Sequence, residues 1–291
     1  RTTVQGSLLT LKVEGLLGGH SGQDIDKERQ NADLLMARMI QRLLKETKGQ
    51  LVSFNGGTKD NAIPRECEAS LIYESDEEAA KAEELACELA ETYAEELTPA
   101  EPDFSCEISC ETNRTAEAIP QDAAKEFICA MRLAPNGIQK RNIKMDGFVG
   151  VSLNLGVVRT EEDRIVMIFS PRSSVASLQE DTKERLNTLA ETFGFTVSHS
   201  SEYPGWSFKE DSPVREICKE SYKELFGEDL KIEAIHAGLE CGLFSDAIKG
   251  LDAIAIGPTI ANCHTPDEYL TLDSFERLYE FLKDILSRLA K

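Results

Sequence analysis

The stretch Cys67-Glu68-Ala69-Ser70-Leu71-Ile72-Tyr73-Glu74-Ser75-Asp76-Glu77-Glu78 decides the fold of the first part of the chain. Apolar residues recur at every second position from Cys67 to Tyr73, which predicts a β-strand. Ser75, followed three residues later by Glu78, forms a capping box, so a helix is predicted to begin here. The chain therefore passes directly from a strand into a helix.

Further elements of both kinds lie on either side of this stretch. Alternating apolar residues predict strands at 9–13, 51–55 and 104–110, and helical spacing predicts helices at 32–43 and 75–93. The resulting order, βαββαβ, is that of a ferredoxin-like sandwich, with two helices on one face of a four-stranded antiparallel sheet.

The next part of the chain nearly repeats this order. The patterns predict a helix at 124–131, strands at 149–158 and 165–170, a helix at 175–193 and a last strand at 195–200. This αββαβ run predicts a second lobe of similar build. We therefore expect duplicated lobes at about 1–112 and 113–202.

The pattern changes in residues 203–291. A helix is predicted from Ser212-Pro213 to Gly227, short apolar strands at 232–235 and 251–256, and a final helix from Asp273. These strands do not alternate strictly, as expected of α/β strands that are covered on both faces. Because so few strands cannot complete an α/β sheet, this region is predicted to be one part of a larger domain.

Composition excludes several classes of function. The 291 residues carry a net charge of −20, which disfavours binding to the phosphates of nucleic acids. No apolar run approaches the ~20 residues of a membrane span. The eight cysteines form no CxxC pair and no disulfide-rich spacing, so reduced thiols and a cytoplasmic location are predicted.

Three histidines lie in glycine-containing loops. His20 is flanked by Gly18-Gly19 and Gly22, which permit positive φ and a close approach of the backbone; the alternative is an exposed residue near a helix N-terminus. His236 and His264 each follow a predicted strand, where α/β sheets bind ligands. A catalytic zinc needs about three protein ligands, so no single histidine establishes a site.

A cysteine nucleophile is a competing interpretation. Cys263 adjoins His264, and Cys241 lies near His236. Adjacent side chains diverge, however, and do not readily form a nucleophile–base pair. We therefore expect no inactivation by alkylation of either cysteine.

Five short motifs are more specific in combination than any one alone. In chain order they are Gly18-Gly19-His20-Ser21-Gly22, Asp60-Asn61-Ala62-Ile63-Pro64, Ser170-Pro171-Arg172-Ser173, His236-Ala237-Gly238-Leu239-Glu240-Cys241-Gly242 and Gly257-Pro258-Thr259 with His264-Thr265-Pro266-Asp267-Glu268. With these motifs the sequence resembles the aminoacylhistidine (Xaa-His) dipeptidases. These are dinuclear-zinc exopeptidases with a catalytic domain and an inserted lid.

The resemblance implies a role for one residue in each motif. It implies that His264 is a zinc ligand and that His20 contacts the scissile carbonyl and its developing oxyanion. It further implies that Asn61, Arg172 and Gly238 bind the peptide substrate, Arg172 through the terminal carboxylate. In the family, a water that bridges two zinc ions attacks the peptide bond, and a glutamate acts as general base.

The sequence also departs from this family. The family's His-x-Asp motif, bridging aspartate and Glu-Glu pair are absent, and with them most metal ligands and the general base. We therefore expect residues 1–202 to be the lid and 203–291 the C-terminal segment of the catalytic domain of a longer protein. The 291 residues alone are expected to be inactive and to bind zinc weakly at most.

Two questions about partners stay open at the sequence level. The alternative function is a non-catalytic interaction or dimerisation module built from ferredoxin-like lobes. For a dipeptidase, a single-sided lid would need a second subunit to bring His20 to the active site, whereas a duplicated lid could supply the equivalent group within one chain. A homodimer is compatible with the first arrangement.

Overall fold

The computed structural model describes residues 1–141, 148–200, 206, 208–233, 240–261 and 268–290. These residues form a mixed α/β fold. They fall into two units, the first comprising residues 1–200 and the second the described residues from 206 onward.

The first unit contains nine strands and four α-helices among its described residues. The strands are β1 (Thr2–Glu14), β2 (Gly19–His20), β3 (Gln50–Gly56), β4 (Ala62–Ile63), β5 (Cys67–Tyr73), β6 (Ser105–Ala118), β7 (Gly137–Arg141), β8 (Val149–Thr160) and β9 (Ile165–Ser173). The helices are α1 (Ala32–Glu46), α2 (Asp76–Leu97), α3 (Gln121–Leu133) and α4 (Ala176–Phe193).

Four strands form an antiparallel sheet in the order β6-β1-β5-β3. Along the chain, β1, α1, β3, β5, α2 and β6 follow the order βαββαβ, which agrees with the sequence prediction. Strands β2 and β4 pair only with each other and form a short ribbon outside this sheet. The ribbon carries His20, and Asn61 lies directly before its second strand.

Strand β8 joins the same sheet next to β3 and adds β7 and β9 to it. It pairs with β9 along one side and with β7 and the end of β3 along the other, the β3 contact being the pair Gly56 and Val158. Its first ten residues are buried. The region predicted as a separate second lobe therefore continues the first sheet, and the duplication is not confirmed.

The main core lies between the sheet and helices α1, α2 and α3. Phe54 of β3 and Phe127 of α3 meet edge to face with 5.4 Å between ring centroids. Side-chain caps fix where two of the helices begin: Asn31 Oδ1 accepts the Asp33 and Leu34 amides at the start of α1, and the Ser75 hydroxyl accepts the Glu78 amide at the start of α2.

The second unit is mainly helical. It contains α5 (Pro213–Phe226), α6 (Glu240–Ala247) and α7 (Leu272–Leu289), with the two-residue strands β10 (Ile260–Ala261) and β11 (Tyr269–Leu270). As predicted, α5 begins at a Ser212 cap followed by Pro213. The small core of the second unit is formed by Cys218, Phe281 and Ile285.

Helix α7 also has an apolar face that is exposed. The exposed members of this face follow helical spacing and are Leu272, Phe275, Tyr279, Leu282, Leu286 and Leu289. Among the helices of the described residues, none combines the length and apolar character that would let it traverse a bilayer.

Two predicted strands are wrong. Residues 195–200 form no strand, because Phe195 stacks on Phe193 of α4 instead of joining a sheet. Residues 251–256 also form no strand, and the two strands described in this unit, β10 and β11, pair with each other. The predicted strand at 232–235 lies partly outside the described residues, and residues 232 and 233 are irregular.

Candidate active site

His20 lies on the short ribbon outside the main sheet. In this ribbon His20 pairs with Ala62, and Gly19 pairs with Ile63. Gly19 has a φ of 138°, and a Cβ there would lie 2.6 Å from Asp24 Oδ2. Glycine is needed at this position, both for the backbone conformation and to leave room for the Asp24 carboxylate.

Asp24 and Gly22 orient His20. Asp24 Oδ2 accepts the His20 amide at 2.8 Å, and Oδ1 accepts Lys27 Nζ at 2.6 Å. Burial alone would raise the pKa of Asp24, but these hydrogen bonds outweigh burial and the pKa is lowered. The Gly22 amide donates to His20 Nδ1 at 3.2 Å. Because that nitrogen must act as the acceptor, the proton of the neutral ring lies on Nε2.

Asn61 lies beside His20. The Asn61 carbonyl accepts the Ser21 amide at 2.9 Å, and the Asn61 amide donates to Asp60 Oδ1 at 2.9 Å. The two carbonyl groups on either side of Asn61, those of Asp60 and Ala62, accept hydrogen bonds from Asn154 Nδ2 at 3.1 and 2.8 Å. The backbone around Asn61 is therefore held from both directions.

Two glycines let this segment approach β8. A Cβ on Gly156 would lie 2.5 Å from the Asp60 carbonyl oxygen, and a Cβ on Gly57 would overlap the Gly156 carbonyl oxygen. Since real Cβ contacts are not this short, a side chain at either position would force the Asp60 segment away from the strand.

Arg172 reaches the same place from β9. It lies opposite Ser152 of β8, and its Nε donates to the Ser21 hydroxyl at 3.3 Å. A Cβ on Gly22 would lie 3.5 Å from Arg172 Cζ and 3.1 Å from His20 Cε1, so the guanidinium and the imidazole both border Gly22.

The charge of Arg172 has no carboxylate at ion-pair distance within the described part of the chain. Burial lowers the pKa of Arg172, whereas the negative charge of Asp60 acts in the opposite direction. Because the ordinary arginine pKa is so high, the side chain remains a cation at neutral pH. A half-buried cation of this kind can bind a carboxylate.

Three of the five predicted site residues thus converge at one place in the first unit. The other two, Gly238 and His264, lie outside the described residues, as do His236 and Cys263. The described residues contain no group of three or more His, Cys, Asp or Glu side chains that could hold a metal ion. The Cys241 thiol contacts the Ile254 carbonyl oxygen at 3.8 Å.

Sequence reasoning missed Asn154 and Asp24. Asn154 is 1% exposed and lies within a mostly apolar strand. A lone amide in such a strand is a signal that could have indicated it, because buried polar groups normally have a specific partner. Asp24, four residues after His20, accepts the His20 amide through its carboxylate.

The family follows from comparison with known proteins. The model of "Peptidase family M20/M25/M40" matches residues 44–288. The chain belongs to this family. It is also 33% identical over 283 residues to the cytosol non-specific dipeptidase of Escherichia coli (strain K12), a match that covers 96% of this chain and 57% of that protein.

A solved structure gives a consistent result. The aminoacylhistidine dipeptidase from Vibrio alginolyticus matches 98% of this chain with a TM-score of 0.82 and 31% sequence identity. The match covers 62% of that structure's chain. This M20/M25/M40 chain therefore spans about three-fifths of the length of these two relatives.

Proposed function

We propose that the protein containing this chain is a dipeptidase that hydrolyses short unblocked peptides, and that the first unit binds the substrate. The observation that carries the proposal is the convergence of His20, Asn61 and Arg172 in a chain of the M20/M25/M40 family. Residues from three distant parts of the sequence meet here, and the chemistry that they offer suits a peptide with a free carboxylate.

Each of the three side chains has a distinct role in this proposal. The Arg172 guanidinium binds the terminal carboxylate of the peptide through its planar array of N–H donors. Asn61 binds the peptide backbone through its side-chain amide. His20 Nε2–H donates to the scissile carbonyl oxygen and stabilises the negative charge that develops there.

Zinc belongs to the proposal for the whole protein only. When bound, zinc would activate the attacking water. The described residues do not fit such a site, because they contain no suitable cluster of ligands. We assign no step of the reaction to a metal here, and the role of His264 as a ligand and of Gly238 as a pocket residue stay predictions.

The division of labour along the chain is part of the same proposal. Residues 1–202 would form the lid, and 203–291 would form the C-terminal segment of the catalytic domain. Without further metal ligands, the 291 residues alone would not hydrolyse peptides. A cytoplasmic location, and a homodimer that brings His20 to a second subunit, remain predictions, the latter to be tested by light scattering on the full gene product.

The test uses the full gene product and free dipeptides. We expect hydrolysis that a chelator abolishes and zinc restores, with up to two zinc ions per chain by elemental analysis. Blocking the terminal carboxylate as an amide should abolish turnover. Hydrolysis that is indifferent to both chelator and blocking would contradict the proposal.

A pair of arginine variants tests the site itself. Arg172→Lys should raise the KM for dipeptides by more than about tenfold, because an ammonium cannot form the paired hydrogen bonds of a guanidinium. Arg159→Lys is the matched control, since Arg159 is exposed near the end of β8. Equal effects of the two substitutions would contradict the role assigned to Arg172.

The alternative function, a non-catalytic interaction module, has no observation in its favour. Family membership favours the peptidase.

A further inference from the structure

Asn154 connects the elements that carry the candidate residues. Its side chain is buried in β8, at 1% exposure, and faces the ribbon formed by β2 and β4. We propose that Asn154 is a positioning residue that sets the geometry of His20, Asn61 and Arg172 together. This inference rests on the proposed function for what these residues bind, but the coupling between them can be tested without a substrate.

The first step of the argument is the pair of hydrogen bonds that Asn154 donates. Nδ2 donates to the Asp60 and Ala62 carbonyl groups at 3.1 and 2.8 Å. Because both partners are carbonyl oxygens, the orientation of the amide is settled: the nitrogen must face them. The two bonds restrain the backbone on both sides of Asn61.

The second step links this segment to His20. Ala62 pairs with His20 across the ribbon, and the Asn61 carbonyl accepts the Ser21 amide. A displacement of residues 60–62 therefore displaces the backbone on which the imidazole is mounted.

The third step links it to Arg172. Asn154 and Ser152 lie two residues apart on β8 and share one face, and Ser152 is the cross-strand partner of Arg172. Arg172 Nε in turn donates to the Ser21 hydroxyl. The buried Asn154 amide thus links the ribbon to strands β8 and β9, and Arg172 extends from β9.

An incomplete set of hydrogen bonds indicates that packing alone does not explain Asn154. Its Oδ1 is buried and has no hydrogen-bond partner among the described residues. Leaving this acceptor unsatisfied costs stability, whereas the two donors satisfy the carbonyl groups of Asp60 and Ala62. The role of the amide therefore lies in its two donors, which hold the Asp60–Ala62 backbone.

The experiment uses the 291-residue chain labelled with ¹⁵N, and three reporters. These are the amide exchange rate of Ser21, the imidazole resonances of His20 and the Nε–H resonance of Arg172. In Asn154→Ser, which replaces the two amide N–H donors by a shorter hydroxyl, we expect Ser21 exchange to accelerate about tenfold and all three reporters to shift together. Amides of β1 and β5 should stay protected, which shows that the fold persists.

Asn136→Asp is the matched control. Asn136 Oδ1 accepts the Leu155 amide on the same strand, and aspartate keeps that acceptor. This variant should leave the three reporters unchanged. Movement of the Ser21 reporter alone in Asn154→Ser, or equal movement in both variants, would overturn the proposal.

Two further measurements keep the test decisive if Asn154→Ser does not fold. Gly156→Ala should move the same reporters, because the new Cβ displaces the Asp60 carbonyl from Asn154 Nδ2 while the Asn154 side chain is kept. In the unaltered chain, the Asn154 side-chain NH₂ protons should exchange slowly and show nuclear Overhauser effects to the Asn61 amide. Rapid exchange of these protons would exclude the hydrogen bonds and with them the proposal.

A peptide titration separates this inference from the proposed function. Adding glycylglycine should shift the Arg172 Nε–H resonance, and Asn154→Ser should weaken binding at least about tenfold while Asn136→Asp does not. If glycylglycine has no effect on any variant but the three reporters still move together, the proposed role in peptide binding fails and the coupling stands. If glycylglycine binds the unaltered chain and Asn154→Ser equally well, the positioning role fails and the proposed function stands.

Discussion

The two units of the chain differ in how completely they bury their apolar residues. In the first unit, α1 packs the buried side chains Met36, Met39 and Ile40 against the sheet. In the second, α7 buries Phe281 and Ile285 but exposes a complete apolar face. The same kind of amphipathic sequence therefore gives a dense core in one unit and a partly covered helix in the other. The difference teaches that amphipathicity predicts a helix but not what covers it.

The largest difference between the units should appear on truncating an aromatic side chain. Phe54→Ala in the first unit should cost about 3–5 kcal/mol of unfolding free energy, because Phe54 is fully buried against Phe127. Phe275→Ala on the exposed face of α7 should cost less than about 0.5 kcal/mol. Urea denaturation of both variants measures this, and similar costs would show that the α7 face is covered in solution.

Carboxylates should show the next largest contrast. Glu101 is 2% exposed and accepts the Leu17 and Gln30 amides at 2.7 and 2.9 Å. Glu101→Ala should cost about 2–3 kcal/mol, because it leaves two inward-facing donors without their charged partner.

Glu228 is the corresponding residue in the second unit. It forms an exposed ion pair with Arg277 at 3.2 Å, so Glu228→Ala should change the unfolding free energy by less than about 0.5 kcal/mol. If Glu228→Ala lowered the unfolding free energy about as much as Glu101→Ala, the predicted difference between the two units would be wrong.

The pH dependence of stability should also reside in the first unit. Burial raises the pKa of Asp33 to about 7, whereas a hydrogen bond with the neighbouring Cys67 thiol acts in the opposite direction. Since the folded-state pKa exceeds the unfolded one, the folded chain binds the extra proton, and stability falls as the pH rises towards and through 7.

This sign gives a specific expectation for Asp33→Asn. Between pH 6 and pH 8 the unaltered chain should lose on the order of 1 kcal/mol through this group, and Asp33→Asn should abolish that loss. Asp246→Asn, at an exposed position of α6, is the control and should keep it. Urea midpoints at the two pH values provide the measurement, and an unchanged slope in Asp33→Asn would contradict the assignment.

The smallest expected effect on stability is at the exposed face of α7. Leu286→Lys should change the unfolding free energy by less than about 0.5 kcal/mol, because Leu286 is 57% exposed. It should instead reduce self-association at high concentration, since contiguous exposed apolar patches promote it. Static light scattering tests this, and Lys283→Leu on the same helix should act in the opposite direction.

The sequence correctly predicted helices whose caps are local and strands whose partner strands lie in the first unit. The Ser75–Glu78 capping box marked the start of α2, and the alternation of β1 and β5 was correct because each finds its partner strand in the first unit. Residues 251–256 have the composition of a buried strand. They are irregular because a strand needs a partner, and composition does not show whether one is present.

The candidate site likewise has one part that the sequence predicted and another that depends on contacts between distant residues. The glycines around His20 indicated a candidate site loop, and the resemblance implied roles for Asn61 and Arg172. Their convergence depends on the ribbon pairing of His20 with Ala62 and on the β8–β9 register, which are contacts between residues far apart in sequence. Asn154 acts through two backbone carbonyl groups, so nothing in its own neighbourhood reveals its partners.

The close approach of Gly57, Gly156 and Asp60 has a further consequence. Here two stretches of main chain rest directly on each other, with no side chain between them. Side chains change rotamer on fast timescales, whereas stacked peptide groups have no such freedom. The backbone contact thus sets the distance between the Asn61 loop and the sheet. Substituting nearby core residues would leave that distance almost unaltered.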